Sequence, residues 1–183
     1  MDLLTAIEQR ASAVRLTAPG PGPDELDRIL RAAARAPDHG KLAPWRFVVV
    51  GQERRALFAE ALAGVLRRKQ PEASEAALNG ERAKAMRAPL IVVVAARPVA
   101  GHKVPEIEQQ MAVGAAVQNM LLAASALGYG AMWKTGAPAY DGGLKAELGL
   151  EPGDSIVAFV YLGTVAEPGQ ARAANLDGLV RHL

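Results

Sequence analysis

The chain of 183 residues contains no cysteine, which excludes disulfides, iron–sulfur clusters, thiolate zinc sites and a cysteine nucleophile. Only three histidines are present, so metal chemistry has little to build on. Neither sign of charge is in excess: 21 Lys and Arg stand against 19 Asp and Glu, and a net charge of +2 provides no field to gather a polyanion, so no nucleic-acid partner is expected. Long hydrophobic runs are also missing. The stretch 111–127 falls short of the roughly 20 residues of a spanning helix and carries Gln118 and Asn119, which predicts a buried helix and no membrane contact. The opening residues carry acids where a secretory leader has positive charge, which predicts a cytoplasmic protein. The common catalytic signatures are absent too. Gly128-x-Gly130 ends a helix and opens a strand, the reverse of a dinucleotide fingerprint, and Trp133 stands where its third glycine belongs. There is no P-loop, no Gly-x-Ser-x-Gly elbow and no His-Glu-x-x-His. Glu106 and Glu108, two apart, point to different faces of a helix and make a poor joint pair.

What is present is an ordinary globular composition, 50% hydrophobic and 22% charged, at a length that predicts one domain over 1–183. Leu3, Leu4 and Ile7 at helical spacing predict a short amphipathic helix over 2–9, followed by a polar, Arg-bearing segment. Pro23 with Asp24 and Glu25 behind it opens a second helix, with Leu26, Ile29, Leu30 and Ala33 as its buried face, and Pro37 stops it. Residues 45–50 read as a strand, 52–70 as a helix, and 71–87 as a polar excursion, mobile or helical. Residues 89–95 run apolar without alternation, which predicts a strand covered on both faces at the sheet centre. A loop over 97–105 carries His102 and Lys103. A long, nearly all-apolar helix over 106–127 should be buried, Gly128 and Gly130 read as its C-cap and a tight turn, and a strand over 131–135 follows. A short helix near 141–148, a strand over 155–162 and an unpatterned tail from 164 complete a layered α/β or α+β chain.

Three constellations carry chemistry. Arg10, Ser12 and Arg15 follow a helix end, and two guanidiniums with a hydroxyl between them suit a phosphate monoester, although such a cluster is also ordinary surface charge. The segment 35–47 is polar and positive between a helix and a strand, as a plain connection also can be. Trp133-Lys134-Thr135-Gly136 sets a planar apolar face beside a cation and a hydroxyl, where Trp133 equally suits a core or interface.

Taken together and in order, Arg10-Ala-Ser12-Ala-Val-Arg15-Leu16, Arg35-Ala-Pro37-Asp38-His39 through Pro44-Trp45-Arg46-Phe47, His102-Lys103-Val104-Pro105 and Gly128-Tyr-Gly130 through Trp133-Lys134-Thr135-Gly136 resemble the nitroreductase (flavin reductase-like) family, most closely its short YdjA-like branch. Tyr161-Leu162-Gly163-Thr164 also fits, so the resemblance spans essentially the whole chain. It implies an α+β fold with a central mixed, mostly antiparallel sheet flanked by helices, and an intertwined homodimer with one FMN in each of two pockets at the subunit interface. It further implies that Arg10 and Ser12 hold the FMN phosphate with Arg15 nearby, and that Arg35 and His39 come from the partner subunit, with Lys41 in the same cofactor-binding segment. Trp133, Lys134 and Thr135 would line the flavin from the opposite side, and Arg172 would be a tail arginine reaching the phosphate. Many family members carry two arginines in a row at the first motif. Here the second is Ala11, so phosphate affinity leans more on Arg15 or Arg172.

The activity implied is transfer of a hydride from NADH or NADPH, by way of FMN, to a nitroaromatic, quinone or similar small acceptor in a ping-pong cycle. Because the cofactor performs the redox step, no catalytic dyad is expected, and Lys134 would favour the negative charge that a reduced flavin gathers near N1 and O2. The alternatives are a flavin-binding or flavin-handling protein with little turnover, and an interaction dimer built on the 111–127 helix.

Overall fold

The computed structural model describes residues 2–183. Its elements are α1 (Leu3–Gln9), β1 (Arg15–Thr17), α2 (Pro23–Ala33), β2 (Trp45–Val50), α3 (Arg55–Lys69), α4 (Glu75–Lys84), β3 (Leu90–Ala96), α5 (Glu106–Ala126), β4 (Gly130–Lys134), α6 (Gly142–Glu147) and β5 (Ser155–Glu167). Short 3-10 turns at Gln52–Arg54 and Ala137–Tyr140 join them.

The helix starts follow the chemistry of their first residues. The Asp2 carboxylate accepts the N–H groups of Leu4 and Thr5, Ser74 caps α4 through Ala77, and Asp141 caps α6 through Leu144. At α2 the Glu25 carboxylate reaches back to the Gly22 N–H at 2.9 Å and also accepts the Tyr129 hydroxyl at 2.6 Å, which joins the helix to the approach to β4. The segment 71–87 resolves into α4, which Arg82 ties to Glu60 of α3 and to Glu75.

Every described strand pairing is antiparallel, so the sheet is not the mixed one expected, although its predominant antiparallel character is as expected. β3 lies between β2 and β5 with all seven residues buried, as its unbroken apolar run predicts. The period of two sorts its side chains between two cores. Ile91, Val93 and Ala95 meet Phe58, Leu62 and Val65 of α3. Leu90, Val92 and Val94 meet Ile29 of α2 and Val113 and Met120 of α5.

Three further expectations need correction. Residues 15–17 form a strand rather than an irregular segment, because Leu16 turns inward while β5 supplies the pairing partners from Thr164 to Glu167. β5 correspondingly runs five residues beyond its expected end at 162, to Glu167. Its continuation is secured by Thr164, whose N–H and hydroxyl both donate to the Pro19 carbonyl. The long helix α5 is buried or half-buried from Ala112 to Ser125, with Val113, Ala116, Val117, Met120 and Ala124 pointing inward, but its first two turns leave an open apolar face, Ile107 and Met111 being 57% and 66% exposed. Composition fixed that it is apolar all round but not that its own chain leaves those turns uncovered. Among the described residues, no helix is long and apolar enough to cross a membrane.

At the end of the sheet away from β1, Asp154 is 1% exposed and accepts two bonds from the Arg97 guanidinium, at 2.8 and 2.7 Å, and one from the Glu151 N–H. Arg97 in turn donates its backbone N–H to the Pro44 carbonyl at 2.7 Å, so this pair anchors the loop before β2. The Arg97 hydrogen bonds hold the Asp154 carboxyl below the ordinary Asp range. Replacing Asp154 with Ala should lower stability by about 2–3 kcal/mol in urea unfolding at neutral pH, less than for a fully buried pair because Arg97 is partly solvated. Since the folded-state pKa is depressed, that contribution is complete above the unfolded value and is lost as pH falls through the folded one. The two proteins should therefore converge in acid, and equal stabilities at neutral pH would remove this role for Asp154.

Candidate functional site

α1 ends at Gln9, and the chain leaves it extended and anchored on both sides: Ala13 N–H donates to Ala131 O at 3.2 Å and Val14 N–H to Glu167 O at 3.0 Å. This holds Arg10 and Ser12 at the wall of a cavity of about 890 Å³. The opposite wall is the C-terminal tail from Gln170 to Ala174, including Arg172, and Glu8 is the one acid of the lining. Residues from the two ends of the chain meet here because the tail crosses directly over Ser12. A Cβ on Gly169 would sit 1.9 Å from the Ser12 carbonyl oxygen, so only glycine lets the two backbones approach this closely. Gly169 is a site residue that sequence reasoning missed. Its only signal was a Pro-Gly pair read as punctuation of an unpatterned tail.

Arg15 does not line that cavity. It lines a neighbouring one of about 490 Å³ together with Lys134, Arg87 and Met132. Lys134 also opens onto a third, of about 370 Å³, whose walls include Thr135, Glu81, Lys84, Phe159 and Tyr161. Burial pushes the Tyr161 hydroxyl above the usual phenol range, which keeps it neutral. Lys84 is held by Glu81 at 2.5 and 2.6 Å. Glu81, Lys84 and Arg87 were not anticipated as site residues; they recur at a spacing of three in a segment read as a polar excursion, mobile or helical. Trp133 alternates onto the face of β4 opposite Lys134, donates its indole N–H to Val157 O at 3.1 Å, and lines neither of the cavities onto which Lys134 opens. Gly130 serves close packing rather than a turn: a Cβ there would lie 2.6 Å from side-chain atoms of both Leu16 and Val165. Gly128, with φ +85°, is the helix terminator that was expected.

Arg35, His39 and Lys41 lie elsewhere. Their loop leads into Trp45, which pairs with Ala96, itself opposite Ser155 at the start of β5, whereas Arg15 lies opposite Glu167 at its end. Twelve strand steps of about 3.3 Å separate those ends by roughly 40 Å. One copy of the chain therefore does not bring the two sets together. His39 Nδ1 lies 2.7 Å from a carboxylate oxygen of Glu108, and His102 packs beside Gly40 on the same side, away from the Arg10 cavity.

Arg31, Arg68, Arg82 and Arg97 are engaged by acids. Among the described residues, Arg10, Arg15, Arg35, Lys41, Lys134 and Arg172 form no salt bridge. A cavity walled by two unpaired guanidiniums and a hydroxyl is chemically suited to a phosphate monoester, and the neighbouring cations extend positive potential away from it.

Residues 7–164 match the nitroreductase family. The chain is 40% identical over 165 residues, 90% of its length and 88% of the other's, to the Escherichia coli (strain K12) protein named "Putative NAD(P)H nitroreductase YdjA". Among solved structures, a nitroreductase-like family protein from Bacillus cereus superposes with a TM-score of 0.84 at 22% identity, covering 100% of this chain and 96% of that one. A structure from Desulfovibrio desulfuricans, named as a nitroreductase in complex with FMN, superposes with a TM-score of 0.76 at 28% identity, covering 98% and 95%.

Replacing Gly169 with Ala must displace the tail from Ser12 and carry Arg172 with it. Inorganic phosphate should raise the melting temperature of the wild type, and the shift should shrink in the Gly169→Ala and Arg172→Ala proteins alike. An undiminished shift in both would separate the tail from the anion site.

Proposed function

The chain belongs to the nitroreductase family, and from that premise we propose that it is an FMN-dependent oxidoreductase drawing hydride from NADH or NADPH and reducing a nitroaromatic, quinone or similar small acceptor. The observation that carries this reading is the meeting of Arg10, Ser12 and Arg172 around one cavity, unpaired and drawn from opposite ends of the chain. Bound FMN supplies reversible hydride acceptance and donation, with donor and acceptor using one exposed face in turn, hence a ping-pong cycle.

The residues of the chain then bind and orient. Arg10 and Arg172 offer forked donors to the phosphate and Ser12 a hydroxyl, which fixes one end of the cofactor. Arg15, Lys134 and Arg87 keep the adjoining space positive, which favours a bound group that gains negative charge on reduction. Thr135, Phe159 and Tyr161 supply the neighbouring wall, neutral and partly apolar, that limits water. Arg35, His39 and Lys41 are contributed by a second copy, a reading supported by their remoteness from the first set along β5.

A homodimer is further supported by the apolar surface that one copy leaves open. Leu3, Leu4 and Ile7 of α1, which packs on α5, are exposed, and so are Ile107 and Met111 in the first turns of α5. We read the chain as a single domain working in the cytoplasm.

Purified protein incubated with FMN and gel-filtered should be yellow, and NADH or NADPH should bleach it rapidly without oxygen. Colourless protein would eliminate the proposal, and a yellow protein that NAD(P)H leaves oxidised would reduce it to flavin binding. Replacing Arg10 with Ala should raise the FMN dissociation constant about 10- to 100-fold, the loss expected for charge-assisted hydrogen bonds to phosphate.

A further inference from the structure

The loop that carries His39 is held in a disfavoured conformation by groups that have no other evident use. Gly40, Lys41 and Ala43 have φ of 82°, 55° and 47°, and for a lysine and an alanine this left-handed region crowds Cβ against the following carbonyl. Asp38 stabilises it: one carboxylate oxygen accepts the Ala43 N–H at 2.6 Å, and the Asp38 carbonyl accepts the Lys41 N–H at 3.2 Å. Val104 closes the other side, 3.2 Å from where a Cβ on Gly40 would stand. The backbone under His39 is thus preset. Its ring is set separately by Glu108, on the first turn of α5, 2.7 Å from Nδ1.

A carboxylate only accepts, so the shared proton belongs to Nδ1, and Nε2 of the neutral imidazole is left as an acceptor. Among the described residues nothing bonds to Nε2. We propose that Glu108 is a positioning residue for His39: it holds the imidazole in the Nδ1–H tautomer and so offers Nε2 as an acceptor to an N–H donor, such as a cyclic imide or a carboxamide, of the molecule bound in the second copy's pocket. This rests on the reading that His39 serves a pocket completed by another copy of the chain. A neutral His39 held this way cannot donate from Nε2.

Because the chain has only three histidines, the side-chain nitrogens of His39 can be assigned in a ¹⁵N-labelled protein from one His39→Gln spectrum. At about pH 8.5, well above the ordinary imidazole pKa, long-range proton–nitrogen correlations should show protonated Nδ1 and bare Nε2 in the wild type. In Glu108→Ala the ring should move toward the Nε2–H form that free neutral imidazole favours, and FMN affinity should fall roughly 3- to 10-fold, the loss of one hydrogen bond. Glu108→Gln, whose amide oxygen still accepts, should retain the Nδ1–H form and most of the affinity. An unchanged tautomer in Glu108→Ala, or a changed tautomer with unchanged FMN affinity, overturns the inference. A wild type that shows the Nδ1–H form but binds no FMN overturns the flavin reading instead, and with it the ligand assigned to Nε2.

Discussion

Thirteen consecutive residues of β5 bond in turn to β3, β4 and β1, and the positions of the functional side chains follow from that one strand. Its first residue lies level with the loop of His39 through Ala96 and Trp45, and its last lies opposite Arg15. A strand cannot shorten without giving up its ladder, so the two sets of basic residues are held apart within one chain. A pocket that uses both requires two chains. The same strand explains why β1 exists: three residues with one inward leucine have no stability of their own and persist only because β5 extends far enough to pair with them.

Close approach of backbone to backbone is the second determinant. Gly163, Gly130 and Gly169 each stand where a Cβ would meet another segment at less than 3 Å, and all three lie around β1 and the stretch that precedes it. They bring the tail, β4 and β5 against the residues that carry Arg10 and Ser12. The charges complete the arrangement. Arginines such as Arg82 and Arg97 are spent on joining α3 to α4 and on anchoring the loop before β2, while among the described residues Arg10, Arg15 and Arg172 form no salt bridge.

Much of this was legible beforehand. The β3 run announced a strand covered on both faces, Pro23 and Pro37 bracketed α2, and the ordered blocks around Arg10, Arg35 and Trp133 pointed to the family. The short strand β1, the extension of β5 and the exposed face of α5 were not legible, because each depends on a partner distant in sequence or on the lack of one. The placement of Trp133 away from Lys134 follows strand alternation and could have been read from the period of two. The helical register of Glu81 and Lys84 belongs to the helical alternative that 71–87 left open, whereas Arg87 lies beyond the end of α4.

By itself the sequence determined most of the elements, a layered α/β or α+β class and which side chains are chemically able to hold a phosphate, because periodicity, proline and glycine placement and side-chain type act locally. Only the tertiary structure decided that Arg172 joins Arg10 across Gly169, that a Glu108 carboxylate oxygen lies 2.7 Å from His39 Nδ1, and that His39 and Arg10 cannot serve one pocket within one chain. Those are distances between residues far apart along the backbone, and they are set by how the sheet is threaded and how closely segments pack, which no local pattern encodes.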